Sequence, residues 1–167
     1  GTAKPIYPSY GELGLPKKLT TQLDALKLKF GGSKIGTDAD DTITGGVSSD
    51  LLIGLAGQDV VQGGGSADVL IGGPGSNRFV YAALTESPAQ RGKQDQILGF
   101  QRAGDVIDLS ALGETFTYIG KNTFSRDAGE VRFAGGSLQL DADGNGRADL
   151  EILLPGVNRF SGTSLLL

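Results

Sequence analysis

A nine-residue period constrains this chain more than any other feature. Five consecutive units run in frame: GTDADDTIT (36–44), GGVSSDLLI (45–53), GLAGQDVVQ (54–62), GGGSADVLI (63–71) and GGPGSNRFV (72–80). The first position is glycine in all five. The sixth is aspartate in four and Asn77 in the last, and the eighth is apolar throughout: Ile43, Leu52, Val61, Leu70 and Phe79. A flexible Gly/Ser linker needs neither an apolar residue at every ninth position nor an acid two residues before it. The period instead predicts stacked half-coils, each a short strand with one inward apolar residue and a tight glycine turn.

Stacking sets the electrostatics. Two units complete a coil, so turns of the same parity lie on one edge, with neighbouring strands about 4.8 Å apart. Asp41 then faces Asp59 on one edge, and Asp50 faces Asp68 on the other. Two carboxylates at that spacing repel by roughly 1 kcal/mol in bulk water and several-fold more at an effective dielectric near 20. An oxygen-seeking divalent cation turns that repulsion into ligation, and with turn carbonyls completing a shell of about 6–8 oxygens it suits Ca²⁺ better than Mg²⁺. Charge distribution agrees. The block 36–80 holds six aspartates and one base, Arg78, a balance of −5 against −4 for the whole chain. Acidity concentrated there fits a cation and argues against nucleic acid.

The units resemble the GGxGxDxUx repeats of RTX proteins, which form a calcium-bound parallel β-roll. The resemblance implies carbonyl ligands at the second and fourth turn positions and a side-chain ligand at the sixth. Here these are Thr37, Ala39 and Asp41; Gly46, Ser48 and Asp50; Leu55, Gly57 and Asp59; Gly64, Ser66 and Asp68; and Gly73, Gly75 and Asn77. Ala39, Ser48 and Ser66 depart from the fourth-position glycine, where a Cβ strains a left-handed turn. Thr37 and Leu55 depart at the second position, and Asn77 brings no charge. Five units leave about three inter-turn sites, with expected affinities from micromolar to millimolar.

Downstream segments extend the resemblance to the C-terminal domain of serralysin-type secreted metalloproteases: QDQILGFQRAGDVIDLSALG (94–113), FSRDAGEVRF (124–133) and LDADGNGRADLEILLPGV (140–157). Alginate epimerase R-modules share the repeats and the IDLSALG segment. Asp95 matches an aspartate that in the family helps bind calcium at the end of the roll, or else is a solvated loop acid. Asp105 and Asp108 are read as turn-holding acids. Asp141, Asp143, Asn145, Gly146 and Asp149 open like a DxDxDG calcium loop, but Ile152 stands where a bidentate glutamate is needed. A tight Asp/Gly hairpin turn accounts for the same letters.

The expected fold is all-β: a parallel β-roll of nonapeptide repeats continuing into a C-terminal antiparallel, β-sandwich-like cap, with a short N-terminal helix. The divisions read as 1–35, linker and N-terminal capping segment; 36–80, calcium-binding repeats; and 81–167, capping and secretion-signal region. Leu19, Leu23, Leu26 and Phe30 carry the helical spacing, with a glycine stop at Gly31-Gly32, although LKLKF (26–30) also alternates like a strand. Strand patterns fall at 78–81, 105–109, 116–119, 130–133, 137–140 and 150–154.

Absent residue types exclude chemistry. No cysteine means no disulfide or thiolate site, and no histidine means no imidazole acid–base pair or HExxH zinc motif. No nucleophile–base constellation can be assembled, so the chain is not expected to be an enzyme by itself. No run of about 18 apolar residues exists to span a membrane, and no signal-peptide core is visible. The abrupt start at Gly1-Thr2 suggests a piece of a longer protein.

The expected function is a secreted, extracellular calcium module. It folds on binding Ca²⁺ and supports export by type I secretion machinery, engaged through the C-terminal GTSLLL, which also reads as a last edge strand. A second reading is binding of an acidic polysaccharide such as alginate through Arg91, Lys93, Arg102, Lys121, Arg126, Arg132 and Arg147. A third is a structural part of an adhesin or surface-layer protein.

Overall fold

A computed structural model describes residues 17, 18, 21, 22, 30–113 and 115–167. The linker expected over residues 1–16 lies outside them, as do Leu19, Leu23 and Leu26 of the expected N-terminal helix. Lys17, Lys18, Thr21 and Gln22 have helical backbone. None of these described residues comes within any helix long and apolar enough to cross a membrane.

The strands are β1 (Gly32–Ile35), β2 (Thr42–Thr44), β3 (Asp50–Ile53), β4 (Val60–Gln62), β5 (Val69–Ile71), β6 (Arg78–Val80), β7 (Asp95–Ile97), β8 (Val106–Asp108), β9 (Thr117–Tyr118), β10 (Glu130–Ala134), β11 (Ser137–Asp141), β12 (Leu150–Leu153) and β13 (Leu165–Leu166). Two sheets face each other. One runs β1-β3-β5-β7-β12-β11-β10-β9 and the other β13-β8-β6-β4-β2. Successive repeats alternate between them, and strands of the same parity pair in parallel. Ile43 lies opposite Val61, and Leu52 opposite Leu70, each two units on.

The eighth-position residues Ile43, Leu52, Val61, Leu70 and Phe79 share one buried cluster. Ile97 and Ile107 extend the ladder, lying opposite Leu70 and Phe79. The parallel stacks therefore continue past Val80, although the sequence period ends there. Inserted loops change the spacing between partners while the pairing is kept. An unforeseen strand, β1, adds a half-coil before the first repeat, with Lys34 opposite Leu52. Its ammonium reaches across the end of the roll to donate to Thr44 O at 2.5 Å.

The sheets differ on their outer faces. Leu51, Ile53, Val69 and Ile71 form a second buried cluster with Leu98, against which Phe30 and Leu55 pack. The other sheet shows exposed Thr42, Thr44 and Arg78 at the equivalent positions. Beyond β7 the larger sheet turns antiparallel through β12, β11 and β10, which is the expected cap. GTSLLL supplies β13, a parallel edge strand on β8.

Candidate metal centre

The sixth-position side chains form two ladders joined by one repeated hydrogen bond. On one edge Asp41 N donates to Asp59 Oδ1 (2.9 Å), Asp59 N to Asn77 Oδ1 (3.0 Å) and Asn77 N to Asp105 Oδ1 (2.9 Å). On the other, Asp50 N donates to Asp68 Oδ1 and Asp68 N to Asp95 Oδ1, both at 2.8 Å. The expected pairs Asp41/Asp59 and Asp50/Asp68 are thus brought together. Asp95 is no solvated loop acid: it is fully buried and occupies the next rung. Asp105 is a further rung that sequence reasoning assigned only to turn-holding, although it does that too, accepting Gln101 N at 2.8 Å. A signal was present, since Asp-Val recurs at 59–60, 68–69 and 105–106.

Glycine at the first position is required by close approach. A Cβ on Gly54 would strike Asp59 Oδ2 and Gly72 O, and one on Gly45 would strike Gly63 O. Left-handed backbone belongs to the second and fourth positions, at Leu55 (φ 77°), Gly57 (126°), Gly64 (91°), Ser66 (76°), Gly73 (97°) and Gly75 (131°). The strain expected at Ala39, Ser48 and Ser66 therefore falls on Ser66 alone among them, with Leu55 joining it. Thr37, Ala39, Gly46 and Ser48 have no such φ.

That difference sorts the turns. In the first two, the second-position N–H caps the acid: Thr37 N donates to Asp41 Oδ2 and Gly46 N to Asp50 Oδ2, both at 2.6 Å. In the third and fourth, where the second-position residue is left-handed, Asp59 Oδ2 and Asp68 Oδ2 are buried with no donor. Asp95 Oδ2 and the Tyr81 hydroxyl are also buried, and they face each other closely enough that the hydroxyl lowers the proton affinity of the carboxyl as a donor does. Both Asp68 Oδ2 and Asp95 Oδ2 approach the same side of Gly63. Burial pushes the Asp68 carboxyl up to about 7 and Asp95 up to about 8, against the lowering effect of the Asp50 and Asp68 N–H groups. Burial also raises Asp59. Buried oxygens with raised proton affinity and no donor are a costly arrangement in water alone. It is the donor set a hard divalent cation takes, so these residues fit Ca²⁺.

The carbonyls stack beside them. Leu55 O lies against Gly73, Gly57 O against Gly75 and Gly46 O against Gly64. At the β11–β12 loop the carboxylates of Asp141, Asp143 and Asp149 come within 4.8 Å of one another. Asp141 accepts from Gly144, Asn145 and Gly146 N–H, and Asp149 from Ala142 and Asp143 N–H. These bonds describe a closed Asp/Gly turn.

Two stacks of parallel strands linked by acid-bearing nonapeptide turns define an RTX-type β-roll module. The chain belongs to the peptidase M10 serralysin C-terminal family, which matches residues 32–162. Among solved structures it is similar to the AlgE6R3 subunit of a mannuronan C5-epimerase from Azotobacter vinelandii. That match has 28% identity and a TM-score of 0.60, covering 81% of this chain and 77% of that one. The AlgE6R2 subunit of the same enzyme also matches at 28% identity, with TM-score 0.53, covering 80% of this chain and 91% of its own. Among curated proteins none matches the chain.

Proposed function

We propose that the chain is a calcium-binding module that folds on binding Ca²⁺ and forms the non-catalytic C-terminal part of a larger, extracellular bacterial protein exported by type I secretion. The observation that carries this reading is the pair of buried, donorless oxygens Asp59 Oδ2 and Asp68 Oδ2, with the buried Asp95 carboxyl beside the second. Calcium would be held on one edge by Asp41 and Asp59 with the carbonyls of Thr37, Ala39, Leu55 and Gly57. On the other edge Asp50 and Asp68 would act with Gly46, Ser48, Gly64 and Ser66, and Asp68 again with Asp95. The ions neutralise repulsion that otherwise opposes stacking, so metal binding and folding are one equilibrium. In a calcium-poor cytoplasm the repeats stay unfolded and threadable, and outside they fold. Circular dichroism tests this: β-content should be low in EGTA and high in millimolar calcium, and equal spectra would reject it.

Similarity to subunits of a mannuronan C5-epimerase supports a second reading, in which the module binds a uronate polysaccharide through its exposed bases. Titration calorimetry with oligouronates, run in saturating calcium, should then show binding at millimolar ligand. Absence of heat would remove this reading and leave the first untouched.

A further inference from the structure

The fifth turn replaces acceptors by donors. Asn77 Nδ2 rests against Gly72 as Asp59 Oδ2 rests against Gly54. Where the aspartate leaves a buried oxygen without a donor, the amide offers two N–H groups, and both are used. Asn77 Nδ2 donates to Gly73 O at 3.0 Å and to Asp105 Oδ1 at 3.1 Å. A second carboxamide arrives from the following loop, Gln101 Nε2 donating to the same Gly73 carbonyl at 2.6 Å. Gly73 O is a second-position carbonyl and Asp105 the next acid on that edge. They are the two kinds of oxygen on which the proposed cation sites draw.

We propose that the carboxamides of Asn77 and Gln101 stand in for a cation at this turn, so that it closes without metal. The inference rests on the calcium reading of the other turns. The orientation of the amide is fixed by its surroundings: Oδ1 accepts the Asp59 N–H at 3.0 Å, so the reversed amide would set an oxygen against two acceptors and a donor against a donor. A carboxylate at residue 77 would keep the Oδ1 bond. Its other oxygen, however, would face Gly73 O and the Asp105 carboxylate with no proton between them. That set needs a cation, whereas the neutral amide satisfies it internally. The asparagine is thus a determinant of how many ions the roll takes.

The test is calcium stoichiometry, by titration calorimetry and native mass spectrometry on the full chain in both native and variant forms. Asn77→Asp should bind one ion more per chain than the native protein. Asn77→Ala removes the donor without adding a charge, so its ion number should be unchanged while its folding transition moves to higher free calcium. The proposal is overturned if Asn77→Asp gains no ion while the native chain binds calcium, or if Asn77→Ala loses one, which would make Asn77 a ligand. A native chain that binds no calcium would instead overturn the underlying reading, and the two failures are distinguishable.

Discussion

Glycines of the repeat do different work, and single substitutions should separate them. At Gly54 an added Cβ meets Asp59 Oδ2 and Gly72 O, one a ladder acid and the other backbone of the next coil. At Gly65 the nearest atom to such a Cβ is 3.7 Å away, and the φ is not left-handed. Gly54→Ala should therefore cost about 1–3 kcal/mol by overpacking. Gly65→Ala should be neutral or stabilise by up to about 1 kcal/mol by restricting the unfolded chain. Urea unfolding in saturating calcium measures both, and equal effects would contradict the close-approach argument. Sequence alone could place the first-position glycine but not this distinction. It also grouped Leu55 with Thr37, and Ser66 with Ala39 and Ser48. Their departures look alike as letters, but left-handed φ depends on how each turn stacks, and only Leu55 and Ser66 have it.

At the scale of the elements, the ladders make stability depend on pH in a direction opposite to that of ordinary paired acids. Asp68 and Asp95 rise from 3.8 to about 7 and about 8 in the folded chain, chiefly through burial. A folded state that holds protons more tightly than the unfolded one is favoured at low pH. That contribution is full below about 4 and is lost as pH rises through about 8. In EGTA, β-content should therefore increase as pH falls from 8 to 5. Calcium at these acids would compete with those protons, so its effect should grow as pH rises from 5 to 8. Asp95→Asn keeps an acceptor for the Asp68 N–H and removes one charge. It should raise β-content in EGTA, flatten the pH response and weaken calcium binding. Circular dichroism at pH 5 and 8, with and without calcium, checks all three, and EGTA β-content that rises with pH would refute the scheme. The inner ladder was legible from the eighth position. The rungs at Asp95 and Asp105 were less so, because the loops at 81–94 and 98–105 break the period while preserving the pairing. The buried outer face of the larger sheet was in plain letters, Leu51/Ile53 and Val69/Ile71 against Thr42/Thr44, and needed comparison of units by parity.

Across the whole molecule, the two ends of the roll are closed by different means. At the start, β1 presents Lys34 where the ladder wants an apolar side chain, a charged edge that discourages further strand addition. At the other end both stacks are capped by chain. β12 pairs with β7, and β13 with β8. Phe160 stacks on Phe100 and Phe133, with ring centroids 5.7 and 5.4 Å apart, inside one continuous core that runs from Ile43 to Leu165. Five short repeats bury one inward apolar residue each and, on one sheet, the small outer cluster of Leu51, Ile53, Val69 and Ile71, too little to offset the entropy of ordering their turns. Calcium would relieve the acid repulsion but would supply no cover for Ile97, Ile107 or Tyr81, all fully buried in the intact chain. A chain ending at residue 113 keeps every repeat and ladder acid but loses β9–β13. It should remain without β-content at calcium concentrations that fold the full chain. Circular dichroism over a calcium titration decides the matter: a truncated chain that folds at the same midpoint would mean that the ions alone hold the roll together.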